Sequence, residues 1–157
     1  MDTILNQLKL KFPGLEFVPG NRFSWSPAKK QVIYKHDAEG ADVDIWSLLH
    51  ELGHALLRHQ NFSSDFQLLQ LEAEAWHKAQ VLAKNFEQKI DSDHIQDCLD
   101  TYRDWLYQRS TCPNCTNTSL QTDSHTYNCF NCGTVWQVSS SRLCRAYRRT
   151  SAEKAIV

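Results

Sequence analysis

The sequence lacks an apolar run of about 18 residues, the length that a membrane-spanning helix needs. Its first residues, MDTILNQLKLKF, also lack the apolar core of a signal peptide. The two absences exclude an ordinary membrane-spanning helix and predict a soluble, cytoplasmic protein with no membrane partner. With 157 residues, of which 41% are hydrophobic, the chain can form one compact core and a small appendage.

One motif indicates a chemistry: HELGH at residues 50–54, an HExxH pattern inside the apolar stretch 45–57. Residues four apart lie on one side of a helix, so His50 and His54 can bind one metal ion while Glu51 faces a water in a remaining coordination position. The apolar flanks predict a buried helix, in which these polar groups would be costly without a metal. The motif therefore predicts a zinc hydrolase with Glu51 as its general base.

A catalytic zinc ion normally has three protein ligands, so a third must be found. The metzincin arrangement is excluded, because Leu57 and Gln60 stand where it requires Gly and His. His59 would lie about 140° further round a continuous helix than His54. We therefore expect His59 to be a cation at the helix C-terminus or a support for a ligand.

A second helix, predicted over residues 68–86, offers two glutamates as the third ligand. Glu72 falls in the middle of its apolar face, whereas Glu74 falls among polar residues. A carboxylate on a core face needs a charge partner. We expect Glu72 to bind the metal, and Glu74 is the alternative ligand. A third possibility is that both are ordinary helix glutamates that bind no metal.

Residues 46–79, with WSLLHELGHALLRH followed by LEAEAW, resemble the ImmA/IrrE group of small zincin peptidases. In that group HELGH precedes a helix with a Glu-x-Glu-Ala pattern. The resemblance implies an α+β zincin core with a short sheet, a gluzincin-type metal site and an intracellular endopeptidase, which in known members is directed at a DNA-binding repressor. Trp76 departs from the group, whose members usually have Asn or Asp at this position, where the side chain often supports the metal ligands.

The expected reaction is attack of water on a peptide carbonyl, with Glu51 accepting the proton and returning it to the leaving amine. Many zincins add a Tyr or His that hydrogen-bonds the oxyanion. The candidates for this role are His36, His77, His94, Tyr102 and Tyr107.

Around the motif, the patterns predict an N-terminal helix over residues 1–11 and strands at 16–18, 23–25 and 31–34. Small zincins place such a strand at the cleft rim, where a peptide can bind as a further strand. The alternative is an ordinary packed hairpin. A last helix is expected from Ser92 to Arg109, with Cys98 as a buried thiol in its apolar stripe.

Two CxxC pairs separated by thirteen residues predict a tetrathiolate zinc site, formed by Cys112, Cys115, Cys129 and Cys132. Two disulfides are the rival interpretation, but no export signal accompanies them. The expected apolar face of this zinc ribbon comprises Tyr127, Val135, Trp136 and Val138. Because so small a module has little core, the metal should provide most of its folding free energy.

The predicted domains are a zincin-like metallopeptidase at 1–110, a zinc ribbon at 111–140 and a basic tail at 141–157. Residues 1–110 contain sixteen acids and twelve bases, whereas 111–157 contain two acids and five bases. The tail can contact nucleic acid or an acidic protein surface, or simply be solvated. Its arginines are Arg142, Arg145, Arg148 and Arg149, and Cys144 is expected to be structural or incidental.

These features predict a cytoplasmic zinc endopeptidase with one catalytic and one structural Zn²⁺, whose ribbon recruits a protein or peptide substrate. A zincin followed by a ribbon also resembles the SprT-like proteases, which act on DNA-bound proteins, but their sites use a third His that this sequence does not offer after His54. A non-catalytic ribbon-based interaction protein is the third possibility. The intact Glu51 argues against it, because a structural site needs no general base.

Overall fold

The structure is a computed structural model that describes residues 2–36 and 41–139, together with the backbone of 148–150. Within these residues the fold is α+β, with four α-helices and two small β-sheets. The chain divides into two compact units, one of Met1–Asn61 with Gln70–Gln96 and one of Phe62–Leu69 with Asp97–Val157. The predicted domain limits at residues 110 and 140 stay a prediction. No helix in the described ranges is long and apolar enough to cross a membrane.

The first unit begins with helix α1 (Asp2–Lys11) and a sheet of β1 (Glu16–Gly20), β2 (Ser24–Ser26) and β3 (Gln31–Lys35). The sheet order is β1-β3-β2, in which β1 is parallel and β2 antiparallel to β3. Val32, the second residue of β3, is fully buried. Both edges of β3 are paired, so a peptide cannot add to this strand, whereas β1 and β2 lie at the edges of the sheet. Whether a peptide adds to the sheet stays a prediction.

Helix α2 (Asp42–Leu57) carries the HELGH motif and buries the apolar residues that recur along it: Ile45, Leu48, Leu49, Leu52 and Ala55. It ends at Arg58, which has the left-handed φ of 57°. The His59 N–H then donates to the His54 carbonyl oxygen at 3.0 Å, a bond of the kind that closes helix C-termini. The chain thus turns back at the helix end, and the angle calculated for His59 on a continuous helix does not apply.

Helix α3 (Asp65–Ala83) begins three residues earlier than predicted and ends in a short 3₁₀ turn at Lys84–Phe86. Helix α4 spans Ser92–Ser110, one residue beyond the predicted end. Cys98, on α4, is partly buried rather than fully buried.

The cysteine-rich region forms an antiparallel sheet in the order β4 (Leu120–Asp123), β5 (Thr126–Asn128), β6 (Val135–Val138) and β7 (Arg148–Thr150). Strand β7 comes from the predicted basic tail; Arg142, Arg145 and Cys144 lie outside the described residues. Tyr127 and Trp136 stack with ring centroids 5.5 Å apart and pack with Val138. Val135 was wrongly assigned to this apolar face, because alternate residues of β6 point outward and it is 37% exposed.

A buried ion pair anchors this second unit. Arg109 contacts the Asp65 carboxylate at 2.5 and 3.2 Å, and the Tyr127 hydroxyl donates to the same carboxylate at 2.6 Å. Burial and the neighbouring Asp65 raise the pKa of Tyr127 above its usual range. Because a buried charge left alone costs about 3–5 kcal/mol, this network connects the ribbon strongly to the helix residues of its own unit.

Candidate metal centres

Three donor atoms from α2 and α3 converge in the first unit. His50 Nε2 lies 3.1 Å from Glu72 Oε2 and 3.1 Å from His54 Nε2, and His54 Nε2 lies 3.6 Å from Glu72 Oε2. His50 and Glu72 are both buried, at 8% and 7% exposure. We call these three residues the triad. The structure thus brings together the residues that the sequence singled out as ligands.

The donor geometry of the triad fits a metal ion. A tetrahedral site with bonds of about 2.0–2.1 Å has donors separated by about 3.3–3.4 Å, and the three observed separations, 3.1, 3.1 and 3.6 Å, straddle this range. Hydrogen bonds alone cannot satisfy all the polar atoms of the triad, because each neutral imidazole carries a single proton for its two nitrogens. Two imidazoles and a carboxylate that face one point are a donor set for a cation such as zinc.

The charge on Glu72 suits this role. Burial disfavours its ionised form, but hydrogen bonds from His50 and His54 outweigh burial and hold the pKa of Glu72 well below its usual range. Glu72 is therefore an anion inside the fold. Glu74, in contrast, has a side chain that is 60% exposed and does not join the triad.

His59 supports the triad from outside it. His54 Nδ1 lies 2.9 Å from His59 Nδ1, and His59 Nε2 lies 3.3 Å from Glu74 Oε2. If His54 offers its Nε2 lone pair to a metal, its Nδ1–H donates to His59, and His59 Nε2–H in turn donates to Glu74. His59 is only 8% exposed, and burial together with His54 lowers its pKa, which favours a neutral His59 that relays the hydrogen bond over a C-terminal cation.

His50 is supported differently. Its ring packs against Trp76 at a centroid distance of 4.2 Å and a tilt of 30°, and within the described residues its Nδ1 has no hydrogen-bond partner. An aromatic face thus replaces the acceptor that normally fixes a ligating His.

Glu51 lies next to the ligands on α2 and is partly buried. Burial raises its pKa, while His50, His54 and the backbone N–H of Trp25 in β2 favour the ionised form. The surroundings of Glu51 therefore increase the proton affinity of its carboxyl group. Its link to β2 had no signal in the sequence.

Gly53 allows α2 and α3 to approach each other. A Cβ placed at residue 53 would lie 2.6 Å from the Ala75 carbonyl oxygen, a separation that real Cβ atoms essentially never show. Because His50 and His54 flank Gly53, and Glu72 precedes Ala75 by one turn, this close approach sets the distance between the ligands. The motif drew attention to its charged residues, and the sequence reasoning missed this role of the glycine.

Among the five candidates for an oxyanion donor, His94 has ring contacts that lead to the triad. It packs against Trp76 at 5.6 Å and against Trp46 at 5.0 Å, and Trp76 contacts His50. His36 and His77 are exposed. Tyr102 and Tyr107 belong to the second unit.

The second unit contains the four-cysteine cluster. Sγ separations are 3.7 Å between Cys112 and Cys132 and 3.4 Å between Cys115 and Cys129, against about 2.0 Å in a disulfide. A tetrahedron with bonds of about 2.3 Å to zinc requires about 3.8 Å between sulfurs. The cluster can therefore hold a metal ion, and hydrogen bonds from the side chain and backbone of Thr134 lower the pKa of Cys132 to about 6, which favours the thiolate that binds metal.

The two CxxC knuckles have the same backbone form. Thr116 N donates to the Cys112 carbonyl at 3.0 Å, and Gly133 N donates to the Cys129 carbonyl at 2.8 Å. Each donor follows the second cysteine of its pair and has a positive φ, 62° for Thr116 and 73° for Gly133. Only Gly takes this conformation without steric cost.

Comparison of the chain with protein-family models, with curated proteins and with solved structures yields no match. The resemblance to the ImmA/IrrE group therefore rests on the short motif pattern, and the function must be inferred from the geometry of the two centres.

Proposed function

We propose that this chain is a zinc-dependent endopeptidase with a zincin-type catalytic centre of the ImmA/IrrE kind. The observation that carries the proposal is the convergence of His50, His54 and Glu72 on one point, with Glu51 beside them in surroundings that raise its pKa. A metal site for structure alone needs no adjacent base. In this proposal the four cysteines hold a structural zinc ion and the ribbon recruits the protein substrate.

The triad would hold the catalytic zinc, which supplies a Lewis acid that acidifies water and polarises the scissile carbonyl. Glu51 accepts the proton of the attacking water at its carboxylate and then transfers it to the leaving amine. His59 and Glu74 keep the proton of His54 on Nδ1, so that Nε2 offers its lone pair toward the centre. Trp76 covers one face of His50 and excludes water from it.

The position of strand β2 suggests where an extended peptide substrate would bind. Within the part of the chain that the structure describes, β2 pairs with β3 alone, and it lies at the edge of the three-stranded sheet. The backbone of its middle residue, Trp25, interacts with Glu51. An extended peptide that adds to the outer edge of β2 would run past the general base.

Glu51→Gln tests the chemistry. We expect it to keep the fold and the metal and to lose hydrolysis by about 10²–10⁴-fold, because an amide cannot accept the water proton. The readout is the appearance of new peptide N-termini, by mass spectrometry, when the zinc-loaded protein is incubated with an unfolded protein mixture. Glu87→Gln, an exposed glutamate of the same unit, is the matched control.

The ligand assignment needs a second pair of variants. Glu72→Ala should release the metal of the triad, whereas Glu74→Ala should keep it. Equal hydrolysis by wild type and Glu51→Gln would overturn the proposed function, and retention of the triad metal in Glu72→Ala would overturn the ligand assignment.

A further inference from the structure

A groove of about 650 Å³ in the first unit lies outside the triad. Its wall is partly apolar, with Phe12, Leu15 and Leu56 among the lining residues. Three cations also line it: Lys11, Lys30 and Arg58. We call it the basic groove.

The charge of the basic groove is unbalanced. No carboxylate is among its lining residues, and among the described residues none of the three cations forms an ion pair. This contrasts with residues 1–110 as a whole, where sixteen acids outnumber twelve bases. Lys11 is instead placed over the Phe86 ring, with Nζ 5.5 Å from its centroid. A concave surface with one sign of charge attracts ligands of the opposite sign.

Two of the cations occupy backbone positions that favour glycine. Lys30 has φ 54° and Arg58 has φ 57°, both in the left-handed region. Lys30 ends the turn between β2 and β3, and Arg58 ends α2. Each position would be sterically easier for a residue without a side chain, and each carries a long basic one, which is a reason to assign the side chains a role.

The basic groove shares a wall with the catalytic centre. Trp25 and His59 both line it, and the Trp25 Nε1–H donates to the His59 carbonyl at 2.9 Å. On the other side, His59 contacts His54, and the Trp25 backbone interacts with Glu51. A peptide that passes the general base along β2 therefore has this groove beside it.

We propose that the basic groove binds an acidic, partly apolar segment of the peptide substrate. The inference rests on the proposed peptidase function. The three cations supply the selectivity for Asp and Glu side chains, and the apolar wall accepts the intervening Leu or Phe residues. Occupation of the groove would hold the flanking peptide next to Glu51.

Binding of a short fluorescent peptide of Asp, Glu, Leu and Phe residues to zinc-loaded Glu51→Gln protein tests the proposal, because this variant cannot consume the probe. The comparison probe is the same peptide with Asn and Gln in place of the acids. Lys30→Gly and Arg58→Gly remove the charges and also favour the local backbone, so that weaker binding cannot come from strain. Lys29→Gln, in the same turn but outside the lining, is the matched control.

We expect the acidic peptide to bind more tightly than the neutral one and its affinity to fall as salt rises. Each glycine variant should weaken binding by about two- to fivefold, and the double variant by about 4- to 25-fold, as for exposed charge pairs. Equal binding of the two peptides, or wild-type affinity in the double variant, would overturn the proposal. Tighter binding of a single-stranded oligonucleotide of equal charge would overturn it too, in favour of nucleic acid. Because the assay measures binding and needs no turnover, its result is independent of whether the protein hydrolyses peptides.

Discussion

The substitution Gly53→Ala tests whether the approach of α2 and α3 sets the metal geometry. The added Cβ would meet the backbone of Ala75, with the carbonyl oxygen at 2.6 Å and the carbonyl carbon and Cα at 3.3 Å. The obstacle is helix backbone rather than a flexible side chain. It can be relieved only if one helix moves relative to the other.

The required movement is large on the scale of metal coordination. Ordinary contact begins at 3.4 Å, so the oxygen contact must lengthen by the difference between 3.4 and 2.6 Å, which is about 0.8 Å. Metal–ligand distances tolerate about 0.2 Å. His50 and His54 move with Gly53, whereas Glu72 moves with Ala75, so the movement separates the ligands. We expect metal affinity at the triad to fall at least about 10- to 100-fold, and the overpacking to cost about 1–3 kcal/mol of stability.

Metal content per chain after dialysis against a weak chelator, together with thermal unfolding, measures both effects. The four-cysteine cluster is an internal reference that should keep its ion. Gly14→Ala is the matched control, because a Cβ at that position meets nothing within 4 Å. A folded Gly53→Ala protein that binds both ions with wild-type affinity would show that helix separation does not govern this site.

Two further predictions concern the supports of the two centres. Thr116→Gly should stabilise the zinc-loaded ribbon by up to about 1 kcal/mol in denaturant unfolding, because relief of the left-handed conformation at a φ of 62°, about 1–2 kcal/mol, exceeds the entropic cost of glycine, about 0.5–1 kcal/mol. Gly133→Ala, at the equivalent position, should destabilise the ribbon, and a destabilised Thr116→Gly would contradict this prediction. His59→Phe should weaken metal binding at the triad by about 10- to 100-fold in chelator competition, since it removes the acceptor for His54 Nδ1–H. Glu74→Gln, which keeps an oxygen acceptor on an exposed side chain, should change the affinity little, and unchanged affinity in His59→Phe would refute the relay.

Periodicity predicted the helices well because each of them buries one face. The apolar residues of α3 and α4 recur at helical spacing, and the predicted limits, 68–86 and 92–109, agree with the structure within three residues at each end. The same signal placed Glu72 on a core face, where the structure has it. Hydrophobic periodicity did not predict the structure where the backbone changes direction. Arg58 ends α2 in a left-handed conformation, and no local sequence pattern indicated that His59 lies beside His54.

Contacts between segments that are distant in the sequence could not be predicted from local patterns. The link between Trp25 and Glu51 depends on how the sheet packs against α2, and the pairing of β3 on both edges depends on the parallel strand β1. Gly53 is informative only once the helix that it faces is known to be α3. The cysteine cluster, in contrast, could be predicted from the sequence. Each CxxC pair already places two donors close together, so the fold only has to bring the two pairs together.

The contact between Trp76 and His50 should influence the affinity of the triad for a metal ion. When His50 offers Nε2 to the ion, its Nδ1 carries a proton that has no acceptor among the described residues. Such a buried donor costs about 1–3 kcal/mol, whereas an aromatic stack contributes about 0.5–1.5 kcal/mol. The stack therefore offsets only part of the cost, and His54, with its relay through His59, is the better supported ligand. A triad with one ligand supported by hydrogen bonds and one by stacking should exchange its ion more readily than the cluster of four cysteines, in which every donor is an anion when metal is bound.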